Sequence, residues 1–273
     1  MTTTLRPQGP ERNGTDGARG RSYAVCVNGR PVGRVDLTAG DRFGPGVGHI
    51  DGLVVDQRDR GRGRGTAAVL AGEEVLRSWG CRMVQVGVPG DAPEALRMAL
   101  ALGYTEHSRH MEKPLTGGPV TLPAGSTVRP LAAQEYGPWL ERGEEEFVEA
   151  LMEYGLDHEE AQSRADAGVA GLLPDGAPAP GTALLALEHE GRTVARLWLR
   201  TSEPAWVLQV EVEPGDRGRG HGRGMMLAAE REARAAGADV LGLNVFVSNT
   251  TAVRLYESLG YRPVRRHFTK ALG

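Results

Sequence analysis

Two stretches of this chain, RGRGRG at 60–65 and RGRGHGRG at 217–224, share one arginine-glycine alternation, and the residues after each keep the same register. Arg60 and Arg217, the LGY triplets beginning at Leu102 and Leu259, and Lys113 and Lys270 are all 157 residues apart. Gly63/Gly220, Gly65/Gly222, Gly80/Gly237, Ala95/Ala252, Arg97/Arg254 and Arg109-His110/Arg266-His267 match at the same offset without a gap. A register held from the loop to the last lysine marks a duplicated domain. With 273 residues and 40% hydrophobic content, the chain can fill two α/β cores.

The secondary-structure pattern repeats with the landmarks. VCVNGRPVGRVDL and LALEHEGRTVARLWL each predict a hairpin, turning at Asn28-Gly29 and Glu190-Gly191. An apolar strand follows at 50–55 and at 206–212, and each runs straight into its arginine-glycine loop. Beyond the loops, apolar residues at helical spacing predict helices that stop at Gly80 and Gly237. Short strands, second helices near 93–102 and 250–259, and terminal strands complete both copies. The second half begins with an additional strand at about 127–130 and two helical stretches near 132–154 and 157–172. The expected organisation is a disordered segment at 1–20, a truncated domain at 21–115, a Gly/Pro-rich linker at 116–126 and a complete domain at 127–273.

Composition narrows the partners. A net charge of -3 and a pI near 6.2 give no reason to expect nucleic acid or a membrane. Cys26 and Cys81 lack metal-ligand spacing and read as buried thiols in a reducing cytoplasm. No apolar run reaches the ~18 residues of a membrane span, and the N-terminus lacks the apolar centre of a signal peptide. The seven histidines form no HExxH or Cys/His pattern, so no metal is expected.

A strand ending in Arg-Gly-x-Gly-x-Gly at the start of a helix has a physical use. Glycines let backbone amides converge, and the helix N-terminus and the arginines add positive charge, which together suit a phosphate. VEPGDRGRGHGRGMM followed by LNVFVSNTTAVRLYESLGYRPV closely resembles the Gcn5-related N-acetyltransferases (GNATs). That resemblance covers essentially all of 127–272, and residues 22–115 resemble the same family in truncated, degenerate form. LLPDG, VARLWL, QVEVEP and LGLNVF together resemble a bacterial subgroup.

The resemblance implies an α/β (α+β) mixed sheet in two tandem GNAT-fold domains, the first lacking the initial strand and the acceptor-side helices. It also implies an acyl-coenzyme A donor. By matched positions, amides around Arg217, Gly218, Arg219, Gly220, Gly222 and Arg223 would hold the pyrophosphate, and Val210 to Val212 would pair with the pantetheine arm. Asn249 matches the asparagine contacting the cofactor region, and Tyr256 the tyrosine beside the thioester sulfur, where it would protonate the departing thiolate. A primary ammonium must lose a proton before it attacks, and Glu211, out of phase with Val210 and Val212, is the candidate base. Read without the resemblance, Glu211 is equally a polar strand residue.

The first half departs at these positions. Ala92, Ala99 and Val54 stand where the second half has Asn249, Tyr256 and Glu211. Its loop persists, so Arg60, Gly61, Arg62, Gly63 and Gly65 form a candidate second coenzyme site in a half expected to be non-catalytic. The leading expectation is acetyl, or another acyl group, moved from acetyl-CoA to a primary amine of a small molecule. Two alternatives stay open: an acyl donor on a carrier protein (or, against the net acidity, on tRNA) for specialised-metabolite biosynthesis, and a non-catalytic coenzyme-binding module. Trp139, Phe147, Met152 and Tyr154 are candidate acceptor-pocket residues and equally candidate core.

Overall fold

A computed structural model describes residues 2–14, 18–40, 46–118, 120–153, 156–170 and 178–273, and the side chains of all these except 167–170. Tyr154 and the LLPDG stretch at 172–176 lie outside the described residues. The first half contributes β1 (Thr3–Asn13), β2 (Arg19–Val27), β3 (Arg30–Ala39), β4 (Val47–Val55), α1 (Arg64–Ser78), β5 (Met83–Pro89), α2 (Pro93–Ala101) and β6 (Thr105–Pro114). The second contributes β7 (Ser126–Pro130), α3 (Ala133–Glu153), α4 (His158–Ala170), β8 (Thr182–His189), β9 (Arg192–Arg200), β10 (Ala205–Val212), α5 (His221–Ala235), β11 (Val240–Phe246), α6 (Thr250–Ser258) and β12 (Arg262–Ala271).

The chain forms two compact units, Met1–His107 with Arg265–Gly273, and Ser108–Val264. These divisions differ from the expected linker at 116–126 because each unit takes its last strand from the other half. In the first unit β12 runs antiparallel to β5, completing the order β1-β2-β3-β4-β5-β12. In the second, β6 runs antiparallel to β11, giving β6-β11-β10-β9-β8-β7. The exchange has a chemical basis in the duplication: RHMEKP and RHFTKA carry the same Arg-His and Lys at the same spacing, so each strand suits either sheet.

Two further expectations are corrected. The opening segment is not disordered, and the first half does not lack an initial strand, since β1 pairs with β2 from Thr3↔Val27 to Asn13↔Arg19. Prolines and polar side chains masked it in the sequence. At a sheet edge, however, Pro7 and Pro10 forfeit no necessary ladder bond, and Gly9 takes φ +74° at the irregularity between Gln8 and Arg12. Leu5 anchors the strand on the core. No acceptor-side helices stand between β1 and β2, which are joined by residues 14–18 alone.

Packing repeats in each unit. Val35, Leu37, Leu76, Val84 and the exchanged Phe268 build the first core. Leu187, Leu197, Met225, Met226, Leu241 and the exchanged Met111 build the second. The second unit has an additional layer, in which Trp139 of α3 packs with Leu184, Ala186 and Trp198 on the opposite sheet face. The LGY tyrosines and strand lysines used as landmarks are physical partners. Lys270 Nζ lies 3.0 and 2.8 Å from the carboxylate oxygens of buried Glu73, which also accepts from Tyr104 Oη at 2.9 Å. In the second unit Lys113 Nζ lies 2.7 Å from both oxygens of Glu230 and sits over the Tyr261 ring. Each buried glutamate is thus neutralised by a lysine delivered from the other half of the sequence.

Candidate active site

The arginine-glycine loop is built to leave amides unpaired. Most helices begin with a side chain that satisfies their first N–H groups. α5 instead begins after Gly220, in a left-handed conformation at φ +87°, without a side-chain cap or an acidic residue in its first turn. Among the described residues, the N–H groups of Gly218, Arg219 and Gly220 donate to no protein group. Gly222 fits against α6, where a Cβ would come 3.2 Å from Leu255 Cδ2. The result is a concave set of donors at the positive end of a helix, suited to a phosphate group.

The arginines do less direct work than the sequence suggests. Arg217 Nε donates to the Val212 carbonyl at 3.2 Å and ties the loop to the strand that feeds it. Arg219 pairs with buried Asp216 at 3.1 Å, and Arg223 donates to Ser258 on α6. All three side chains are exposed, so their charge surrounds the nest while their hydrogen bonds hold its shape. A cavity of about 360 Å³ adjoins the loop on its hairpin side, lined by Ser126, His189, Arg192 and His221 among others.

The strand feeding the loop has an open edge. β10 pairs in parallel with β11 only from Ala205↔Leu241 to Val207↔Leu243. β10 then continues to Val212 against β9, and β11 to Phe246 against β6, so the backbone of Leu208 to Val212 has no partner on its β11 side. Val210 and Val212 turn toward the core that holds Tyr256, whereas Glu211 points to the opposite face, beneath α3. There α3 packs closely: a Cβ at Gly143 would lie 1.9 Å from Gln209 Nε2. Phe147 of α3 faces Phe246 of β11 with ring centroids 6.2 Å apart, and Met152 remains exposed. Trp139, by contrast, is core.

Glu211 is largely buried beneath α3. Its side chain is 15% exposed, and its Oε2 is buried without a hydrogen bond. Arg142 Nη2 lies 3.6 Å away, an ion-pair distance that falls outside hydrogen-bond geometry. Sequence reasoning did not single out Arg142, which lies in a charge-rich helix with no motif. Tyr256 is 6% exposed, and burial pushes its phenol up to about 12. No protein group hydrogen-bonds its hydroxyl among the described residues. Asn249 caps α6 by accepting from the Ala252 N–H at 3.0 Å. It therefore precedes the helix that carries Tyr256, with its oxygen committed to that cap.

The first unit reproduces the frame without the polar groups. Gly61 and Gly63 are again left-handed, and Arg60 Nε donates to Val55 O at 2.9 Å as Arg217 does to Val212. Gly65 meets Met98 at 3.3 Å as Gly222 meets Leu255. α1 starts after Gly63, uncapped by any side chain, and α2 starts after Ala92, likewise uncapped. Arg62 lies between Gly61 and Gly63 in the loop.

The model of the acetyltransferase (GNAT) family matches residues 4–104 and 140–261. The chain belongs to this family. Both matched segments carry an uncapped loop helix, which makes the protein a tandem GNAT acyltransferase. Among its relatives, a mycothiol acetyltransferase of Thermobispora bispora is 32% identical over 219 residues, covering 77% of this chain and 71% of that protein. Another, from Nocardiopsis dassonvillei, is 31% identical over 277 residues, covering 92% and 81%. A GCN5-related N-acetyltransferase from Sphaerobacter thermophilus has a similar fold, with a TM-score of 0.57 at 22% identity over 92% of this chain and 80% of that one. GNAT enzymes generally use acyl-CoA, and the bare nest and open strand edge are chemically suited to its pyrophosphate and amide groups. Among the described residues no group of three or more His, Cys, Asp or Glu side chains could hold a metal, and no helix is long and apolar enough to cross a membrane.

Proposed function

We propose that this tandem GNAT is a cytoplasmic N-acetyltransferase that moves acetyl from acetyl-CoA to a primary amine of a small molecule, in the second unit alone. The observation that carries the reading is the orphaned Oε2 of Glu211 beside the unpaired edge of β10, with the free hydroxyl of Tyr256 on the other sheet face. Acetyl-CoA, when bound, would supply the thioester whose C–S bond breaks. The amides of Gly218 to Gly220, with Gly222 and Arg223 at the helix start, hold the pyrophosphate. The free edge at Val210 to Val212 accepts the amides of the pantetheine arm, and Asn249 fixes the start of the helix that presents Tyr256.

Glu211 takes the proton from the acceptor ammonium, leaving a lone pair for attack on the acyl carbon. Tyr256, kept protonated by burial, gives its proton to the sulfur as the C–S bond breaks, and the second proton shed by the newly acylated nitrogen restores the phenol. Holding donor and acceptor together supplies much of the rate, and the two proton transfers add about 10²- to 10⁴-fold. The relatives' name makes mycothiol lacking its acetyl group the first acceptor to assay. In the first unit, Val54, Ala92 and Ala99 leave no acid, base or asparagine, so its loop binds coenzyme without turnover.

Native mass spectrometry with coenzyme A tests the assignment. Two adducts are expected, one lost when Gly218 and Gly220 are replaced by proline and the other when Gly61 and Gly63 are. No adduct on the wild-type protein, but a complex with an acylated carrier protein, would move the donor to that carrier.

A further inference from the structure

The first unit retains the opening between its parallel strands but fills it differently. β4 and β5 pair only from Val47↔Met83 to Ile50↔Val86 and then separate, as β10 and β11 do. Ala99 occupies the place that Tyr256 fills in the second unit. The consequence is a cavity of about 350 Å³ with apolar walls from Val69, Val86, Met98, Ala99 and Leu102. A cavity of this size and lining is in the range that holds small organic ligands.

Its charged lining groups are Arg265 and Asp51. β12 places Arg265 opposite Pro89, and its guanidinium crosses Gly87, where a Cβ would lie 2.2 Å from Nε. The absence of a side chain at Gly87 leaves room for that crossing. The 157-residue offset makes Ser108 and Asn244 the second-unit counterparts of Arg265 and Gly87, so no cation stands at the equivalent place. Arg265 pairs with Asp51 at 3.3 Å, and the two side chains are 46% and 47% exposed. An ion pair so open to water is weak and exchangeable.

We propose that this cavity binds a small aliphatic carboxylate, with its head on Arg265 and its chain against the apolar walls. A carboxylate can replace Asp51 on the guanidinium with two parallel hydrogen bonds, while its chain leaves water. An alkyl ammonium fits less well. It would draw Asp51 away and leave the guanidinium unpaired over an apolar surface. The site takes the free acid and does not depend on the phosphate nest of the first unit.

The test is calorimetric titration of the full chain with octanoate, octylamine and octanoyl-CoA. Octanoate should bind, with affinity reduced at least tenfold by Arg265→Met and raised by Asp51→Asn. Ala99→Leu, a small filling of the cavity, should also weaken it. None of these substitutions should change acetyl transfer in the second unit, and a thermal melt matching that of the wild-type chain shows that each variant is folded. Octanoate affinity unchanged by both Arg265→Met and Ala99→Leu would overturn the proposal. So would tighter binding of octylamine, or binding of octanoyl-CoA without any binding of octanoate.

Discussion

Tyr256 holds its proton in a partly dry site. Burial raises the Tyr256 phenol to about 12, so it is a proton donor throughout the neutral range. Tyr256→Phe should lower turnover by about 10²-fold or more with coenzyme affinity unchanged, as steady-state rates and titration of the same variant will show. Glu211→Gln should lower turnover at neutral pH and recover part of it at alkaline pH, where the acceptor amine deprotonates unaided. The same burial predicts a stability effect. Between the ordinary tyrosine value of about 10 and the folded value of about 12, the folded state retains a proton that the unfolded chain has lost. The stability associated with that proton is complete below pH 10 and declines as pH rises through 12. Tyr104 and Tyr261, also raised by burial first and by a neighbouring glutamate second, act in the same direction. Denaturant melts at pH 9, 10 and 11 should show the decline, and Tyr256→Phe should make it shallower.

At the scale of elements, the loop helix and the exchanged strand carry the structure. Both loop helices start on a left-handed glycine, so Gly220→Ala should cost about 1 kcal/mol in stability and weaken coenzyme binding more than that strain alone would. The exchanged strand β12 is held by Lys270 on Glu73, whose carboxylate is 5% exposed. Lys270→Met should destabilise the first unit by about 3 kcal/mol, whereas Lys270→Met with Glu73→Gln should recover most of that loss. Thermal melts of the two variants make the comparison. Sequence pattern located the hairpins, loop helices and α3/α4, because their apolar periodicity and glycine stops are local. It could not locate β1, whose Pro7 and Pro10 read as loop until a sheet edge accommodates them. Nor could it reveal the exchange, since β6 and β12 carry the same Arg-His and Lys at the same spacing.

For the whole molecule, the two units share a frame and differ at Val54/Glu211, Ala92/Asn249 and Ala99/Tyr256. The two arginine-glycine loops were legible because their glycines and arginines recur at a fixed offset. Glu211 was legible only as an alternation out of phase with two valines, and Arg142 not at all, because an ion pair across α3 and β10 leaves no local pattern. The lysines and LGY tyrosines of the buried Lys-Glu-Tyr clusters were visible as landmarks, but the glutamates and the pairing emerged only when strands from different halves were brought together. The central claim is that catalysis belongs to the second unit and uses Glu211 and Tyr256. It is tested most directly by coenzyme A release from acetyl-CoA with a primary-amine acceptor, beginning with deacetylated mycothiol, comparing the wild-type chain with Glu211→Gln, Tyr256→Phe and Gly61→Pro/Gly63→Pro. The account predicts that both single substitutions depress acceptor-dependent release while the first-loop variant retains it. Undiminished release by both single variants, or its loss only when the first loop is disrupted, would contradict the account.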